Sequence, residues 1–137
     1  MFEVIFLSKQ GSTRKVAQTI AKELGVDAKD IKTVGDISKD AFVFLGTGNY
    51  GKPAKPILQF IEKNSHQLKN IALFGTSASG VGSEVISVEK ILKKKNISVV
   101  GRFYCKGKFL FFRRHNPTNE ELEQAKAFAS KTADIMS

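Results

Sequence analysis

A single cysteine, Cys105, stands among 137 residues. No disulfide can close within the chain, and the simplest setting is a reducing cytoplasm. No apolar run approaches the roughly 18 residues of a membrane span. Glu3 sits ahead of the short apolar piece Val4–Leu7 and no basic cluster precedes it, which is not a signal-peptide pattern. Neither His66 nor His115 has a cysteine or a second histidine at metal-ligand spacing, which argues against a zinc site. No G-x-S-x-G elbow is present, so a hydrolase of that design is excluded. Acidic residues are missing from one whole stretch. Lys90 to Arg114 holds nine basic residues and no acid, and equals the net charge of +9.

What is present is an alternation. Phe2–Leu7, the weaker Asp30–Val34, Ala41–Leu45, Ile71–Phe74 and Ile97–Phe103 read as strands. Between and after them lie helical patterns at Ser12–Leu24, Pro53–Asn64, Ser83–Lys95 and Thr118–Ile135. Gly25 stops the first helix, and Thr118 with Glu121 makes a capping box for the last. Strands alternating with helices predict an α/β fold with a parallel sheet covered on both faces. The expectation is one domain over residues 1–137, a doubly wound five-stranded sheet in the order 2-1-3-4-5. "GDISKD" is all that separates strands two and three. A parallel crossover normally takes about a dozen residues, so that helix is expected to be short or degenerate.

In such a sheet, ligands bind beyond the carboxyl ends of the strands where strand order reverses. Three loops should meet there: "SKQGST", "TGNYGKP" and "GTSASGVG". All are rich in Gly, Ser and Thr, and none carries a carboxylate. The first opens a helix, whose N-terminal amides and dipole favour an anion. Taken alone, that loop is equally an ordinary strand–helix turn with Ser12 as cap. The convergence of three such loops points to a phosphate cradle.

These residues also resemble a family. "SKQGSTRKVAQTIAKEL" is similar to the flavodoxin phosphate loop, with Ser8, Gly11 and Thr13 matching and Gln10 and Ser12 replacing the more usual residues. "FVFLGTGNYGKPAKPILQFIEKN" resembles the second flavin loop and "ALFGTSASGVG" the third. The tail "VVGRFYCKGKF…HNPTNEELEQAKAFA" resembles the end of a bacterial and archaeal flavodoxin-like group. The resemblance implies non-covalent FMN. Its contacts would be Ser8, Lys9, Gln10, Gly11, Ser12 and Thr13 in the first loop. Thr47, Gly48, Asn49, Tyr50 and Gly51 would serve in the second, and Thr76, Ser77, Ala78, Ser79 and Gly80 in the third. Tyr50 would stack on the flavin ring, although a plain loop-packing role fits it too.

Other readings weigh less. Gly46-Thr47-Gly48-Asn49-Tyr50-Gly51 spells G-x-G-x-x-G after a strand, but the acid expected about 20 residues on is missing. A phosphorelay receiver would need acids after strand one and an aspartate ending strand three, where Ser8-Lys9 and Gly46-Thr47 stand. Cys105 reads as a small buried hydrophobe. "KFLFFRR" interleaves Phe109, Phe111 and Phe112 with Lys108, Arg113 and Arg114. Nucleic acid would leave the glycine-rich loops unexplained. An acidic redox partner protein or an anionic small molecule fits both features, and packing of the phenylalanines on the sheet edge fits without a partner. The expected function is FMN-based electron transfer with a partner protein. The alternatives are an FMN oxidoreductase acting on a quinone or porphyrinogen, and a basic interaction module with a vestigial flavin site.

Overall fold

Apolar runs without polar alternation become central strands, because a strand covered on both faces has no solvent side. In the computed structural model, which describes residues 1–107 and 116–137, these runs are β1 (Phe2–Leu7), β3 (Phe42–Gly48) and β4 (Asn70–Ser77). β2 (Ala28–Asp30) pairs with β1, and β5 (Ser98–Lys106) pairs with β4. All pairs are parallel, and the order is β2-β1-β3-β4-β5, as the sequence predicts.

Helices α1 (Ser12–Leu24) and α4 (Asn119–Met136) cover one face, where Val4, Phe6, Phe44 and Phe74 meet Val16, Ile20, Ala125 and Ala129. Helices α2 (Lys55–Asn64) and α3 (Ser83–Lys94) cover the other, with Ile5, Leu45 and Leu73 against Ile57, Ile61, Val88 and Leu92. Each of the Val, Leu, Ile and Phe side chains contributes about 1.5–3 kcal/mol by leaving water. Phe44 sits edge-on between Phe42 and Phe128, at 5.3 and 5.8 Å between ring centroids. The expected helix 1 stop holds: Gly25 adopts φ 73° and its amide reaches back to the helix carbonyls.

The second strand differs from the expectation of Asp30–Val34. Pairing stops at Asp30, whose side chain accepts from the Lys32 amide while its carbonyl accepts from the Thr33 hydroxyl. Residues Ile31–Thr33 therefore curl into a 3-10 turn. Helix α2 begins at Lys55 rather than Pro53, and Pro56 occupies its first turn. Strands β3, β4 and β5 run further than their apolar cores, into Gly48, Ser77 and Lys106. Ladder hydrogen bonds between parallel neighbours carry the small polar residues along.

Between β2 and β3 only the 3-10 turn forms, in line with the expected short or degenerate helix. Two buried side chains hold that link instead. Asn64, wholly buried, accepts from the Ile37 amide and donates to the Phe60 carbonyl. Glu3 accepts from the Ser38 amide at 2.8 Å and pairs with Lys29 at 3.3 Å. At the other end of the chain, Glu121 accepts from the Lys106 and Thr118 amides and the Asn116 carboxamide. Burial alone would raise its pKa, but these donors outweigh it and hold the carboxyl below its usual range.

Replacing Asn64 with Ala strands the Ile37 amide in the interior. The expected loss is about 1–3 kcal/mol, read as a lower urea midpoint with an unchanged slope.

Candidate functional site

The carboxyl ends of β1, β3 and β4 converge on a cleft of about 150 Å³. Its first wall is the β1–α1 loop. Gly11 takes φ 89°, a left-handed conformation that glycine adopts without strain. Its amide donates to the Ser8 hydroxyl at 3.0 Å, folding the loop into a tight cradle. Gly11, not Ser12, is the capping residue, and it has no side chain with which to satisfy the helix start. The first-turn amides of α1 at Thr13 and Arg14 have no acceptor within the helix. Ser8, Lys9, Gln10, Ser12 and Thr13 line the cleft. Arg14 does not line it and lies 4.0 Å from Asp30.

Thr76, at the end of β4, joins the walls. Its hydroxyl meets that of Thr13 at 2.7 Å in a buried contact. Only one of the two hydroxyl protons is used in that bond, so the pair retains a donor. The Thr76 carbonyl accepts from the Asn49 amide at 3.1 Å, tying the second loop to the third. The Asn49 side chain in turn accepts from Gly51, shaping its own loop. Tyr50 leans over the cleft with the Lys9 ammonium 4.4 Å from its ring centroid. Burial pushes the Tyr50 phenol up, against the opposing pull of the Lys9 and Gly48 amides, so it remains protonated and hydrogen-bond competent at neutral pH.

Of the sixteen residues expected in the site, eleven line this cleft: Ser8, Lys9, Gln10, Ser12, Thr13, Gly48, Asn49, Tyr50, Thr76, Ser77 and Ala78. Gly11 shapes the cradle from behind. Thr47 and Gly51 line a neighbouring cleft of about 270 Å³ that shares Gly48, Asn49 and Tyr50 with the first. The Gly80 amide donates to the Ser77 hydroxyl at 2.9 Å, and Gly80 packs on the stem of Lys106. This turn carries Ser79 and Gly80 past both clefts. The G-x-G-x-x-G spelling is also explained: Gly46 and Gly48 lie within β3 and no helix starts before Lys55. The strand–turn–helix context of a dinucleotide fingerprint is missing.

Two residues were not anticipated. Gly107, just beyond β5, lines the first cleft against Ser12 and Thr76, and its amide donates to the Ser77 carbonyl at 2.9 Å. Glu84, in the first turn of α3, lines the second cleft with only 6% of its surface exposed. Among the described residues, neither carboxylate oxygen has a hydrogen-bond partner. The signal for Glu84 was available: it shares the buried stripe of Val88 and Leu92 at four-residue spacing. Cys105 is buried, and burial, with the charges of Glu121 and Glu84, pushes its thiol up to about 12. It is no nucleophile at neutral pH. Lys108, Phe109, Phe111, Phe112, Arg113, Arg114 and His115 lie outside the described residues. Among the described residues, no acidic, histidine or cysteine cluster suits a metal and no helix is long and apolar enough to cross a membrane.

The fold and site define a doubly wound α/β protein with a cleft at the switch point of its sheet. The chain belongs to the flavodoxin family, whose domain model matches residues 3–111. It is 28% identical over 131 residues to an uncharacterized protein of Methanocaldococcus jannaschii, covering 86% of this chain and 87% of that one. It is 25% identical over 107 residues to the protein NrdI of Bacillus licheniformis, covering 78% and 79%. Among solved structures, a flavodoxin from the domain Archaea superposes with a TM-score of 0.76 at 18% identity, covering 98% of this chain and 96% of that one. Flavodoxins generally bind FMN and exchange electrons with partner proteins.

Burial raises the Glu84 pKa above its ordinary value of 4.5. The folded protein therefore keeps a proton over a range in which the unfolded chain has lost it. The Glu84 contribution to stability is fully present below about pH 4.5 and is lost as pH rises through the raised value. Glu84→Gln removes the ionisation. Urea midpoints for wild type and E84Q are expected to converge at acid pH, with wild type falling away from the variant as pH rises.

Proposed function

We propose that residues 1–137 form one FMN-binding domain that passes electrons to or from a partner protein. The observation that carries this reading is the joining of three carboxylate-free loop walls at Thr76, over the N-terminus of α1. The donor set fits a phosphate ester bearing an aromatic ring. Ser8, Ser12 and Thr13 would hold the phosphate with the α1 amides, and Lys9 and Gln10 would close over it. Tyr50 would stack on the ring, and the backbone of Gly48–Asn49 and Thr76–Ala78 would face its polar edge. Gly107 would close the floor beside Ser12. Bound FMN supplies one- and two-electron redox chemistry, while the chain supplies position and field.

The partner we infer is acidic where it touches. Lys106 stands beside the third loop, packed against Gly80. The charge of Arg102 is engaged by Glu89, and that of Lys95 by Glu62, so the basic run is not one uniform field. An anionic small molecule would be drawn by the same charge. The one buried, reduced cysteine is consistent with action in the cytoplasm.

Incubating the purified chain with FMN is expected to give a yellow one-to-one complex with quenched FMN fluorescence. Protein that stays colourless overturns the reading and leaves a non-redox module. Turnover of a quinone by reduced nicotinamide with no second protein would make it an enzyme instead. Thr13→Val should weaken FMN at least about tenfold, the effect of losing one hydrogen bond to a charged group. Tyr50→Ala should weaken it by about 0.5–1.5 kcal/mol of stacking. Both are read from fluorescence titrations.

A further inference from the structure

Glu84 is an anomaly for a chain whose cleft loops carry no acid. Its carboxylate lies directly over Gly75, where a Cβ would come within 2.3 Å of Oε2. Only glycine leaves that notch. Gly75 pairs across the sheet with Thr47 and immediately precedes Thr76, the residue that joins the walls of the cleft. The carboxyl is therefore seated just behind the flavin cleft, on the α2 and α3 side of the sheet. The second cleft reaches it, and the hydroxyl-bearing residues Thr47, Ser83 and Ser87 line the way to solvent.

A buried carboxylate with no side-chain partner among the described residues is expensive to keep ionised, because its own backbone amide offsets the desolvation only in part. The groups facing it do not change that. Lys52 and Tyr50 line the same cleft from the loop after β3, and neither bonds the carboxylate. From β5, Cys105 stays a neutral thiol, and Lys106 lies beside Gly80. On α3 itself the next acid, Glu89, is paired with Arg102. Among the described residues, no charged side chain of α2 lines that cleft. Glu84 is thus poised to respond to a change of charge in the neighbouring site.

We propose that Glu84 is the group at which this chain takes up a proton when an electron arrives in the cleft, an inference that rests on the reading that the cleft holds FMN. The balance is simple. The partner gives one electron, which stays in the cleft. One proton leaves water and joins the Glu84 carboxylate, so the buried region gains no net charge. No bond of the chain breaks. Glu84 acts through the field and touches no ligand, so it is a positioning residue for charge.

The test is the dependence of the FMN midpoint potentials on pH, from pH 5 to 9, in wild type and E84Q. Wild type should show a window in which one potential falls toward tenfold per pH unit, about 59 mV for one electron. In E84Q that window should be lost. Equal slopes in the two proteins would overturn the proposal. A second measurement uses protein without FMN: the infrared band of a buried carboxylic acid, present in wild type and missing in E84Q. If that band titrates near 4.5, the ordinary value, Glu84 holds no unusual proton and the proposal is wrong. Failure of FMN to bind would instead remove the flavin reading and, with it, this role. Should E84Q not fold, Glu84→Asp serves. Its shorter arm draws the carboxyl out of the notch, and the sloping window should move to lower pH.

Discussion

The contact between the hydroxyls of Thr13 and Thr76, 2.7 Å long and buried, holds the site together. It links the first turn of α1 to the end of β4, across β1 and β3. The same residue 76 takes the Asn49 amide on its carbonyl. These two bonds extend the β3–β4 pairing of Gly48 with Thr76 into the loops. With them, backbone amides, hydroxyls and one aromatic ring face a common space. Preorganisation of this kind lowers the ordering cost that a ligand would otherwise bear.

Around that joint the protein separates two electrostatic environments. The first cleft is lined by hydroxyls, amides and the Lys9 ammonium, and no acid among the described residues lines it. The second begins at the shared residues Gly48, Asn49 and Tyr50 and has a buried acid on its wall. The sheet is the partition. α1 aims its N-terminus at one side and α3 places Glu84 on the other. A helix N-terminus normally welcomes an acid in its first turn, but here the seat over Gly75 takes that acid out of water.

Much of this was legible in the sequence. Phe2–Leu7 and Ala41–Leu45 announced central strands because an unbroken apolar run has no other stable home. The three polar loops were placed at one rim by strand order alone, and eleven of their residues share the cleft. What escaped had physical reasons. Asp30 ended β2 with a side-chain bond that propensity does not encode. The strands outran their apolar cores because ladder bonds between main chains ignore side-chain type. Gly107 entered the site through sheet register, three strands away from the first loop. Glu84 was hidden by habit: an acid in a first helical turn reads as solvent-facing, and only its spacing to Val88 and Leu92 says otherwise.

Glu121 receives the Lys106 amide from one side and the Asn116 side chain from the other. One carboxylate thus staples both roots of the connection between β5 and α4. The span it brackets begins beside the cleft at Gly107 and ends at the cap of α4. Changes of length or composition within that span meet a fixed anchor at each end. A change in the connection therefore leaves the sheet, the cleft and the last helix in their places, much as an interchangeable fitting leaves its socket unaltered.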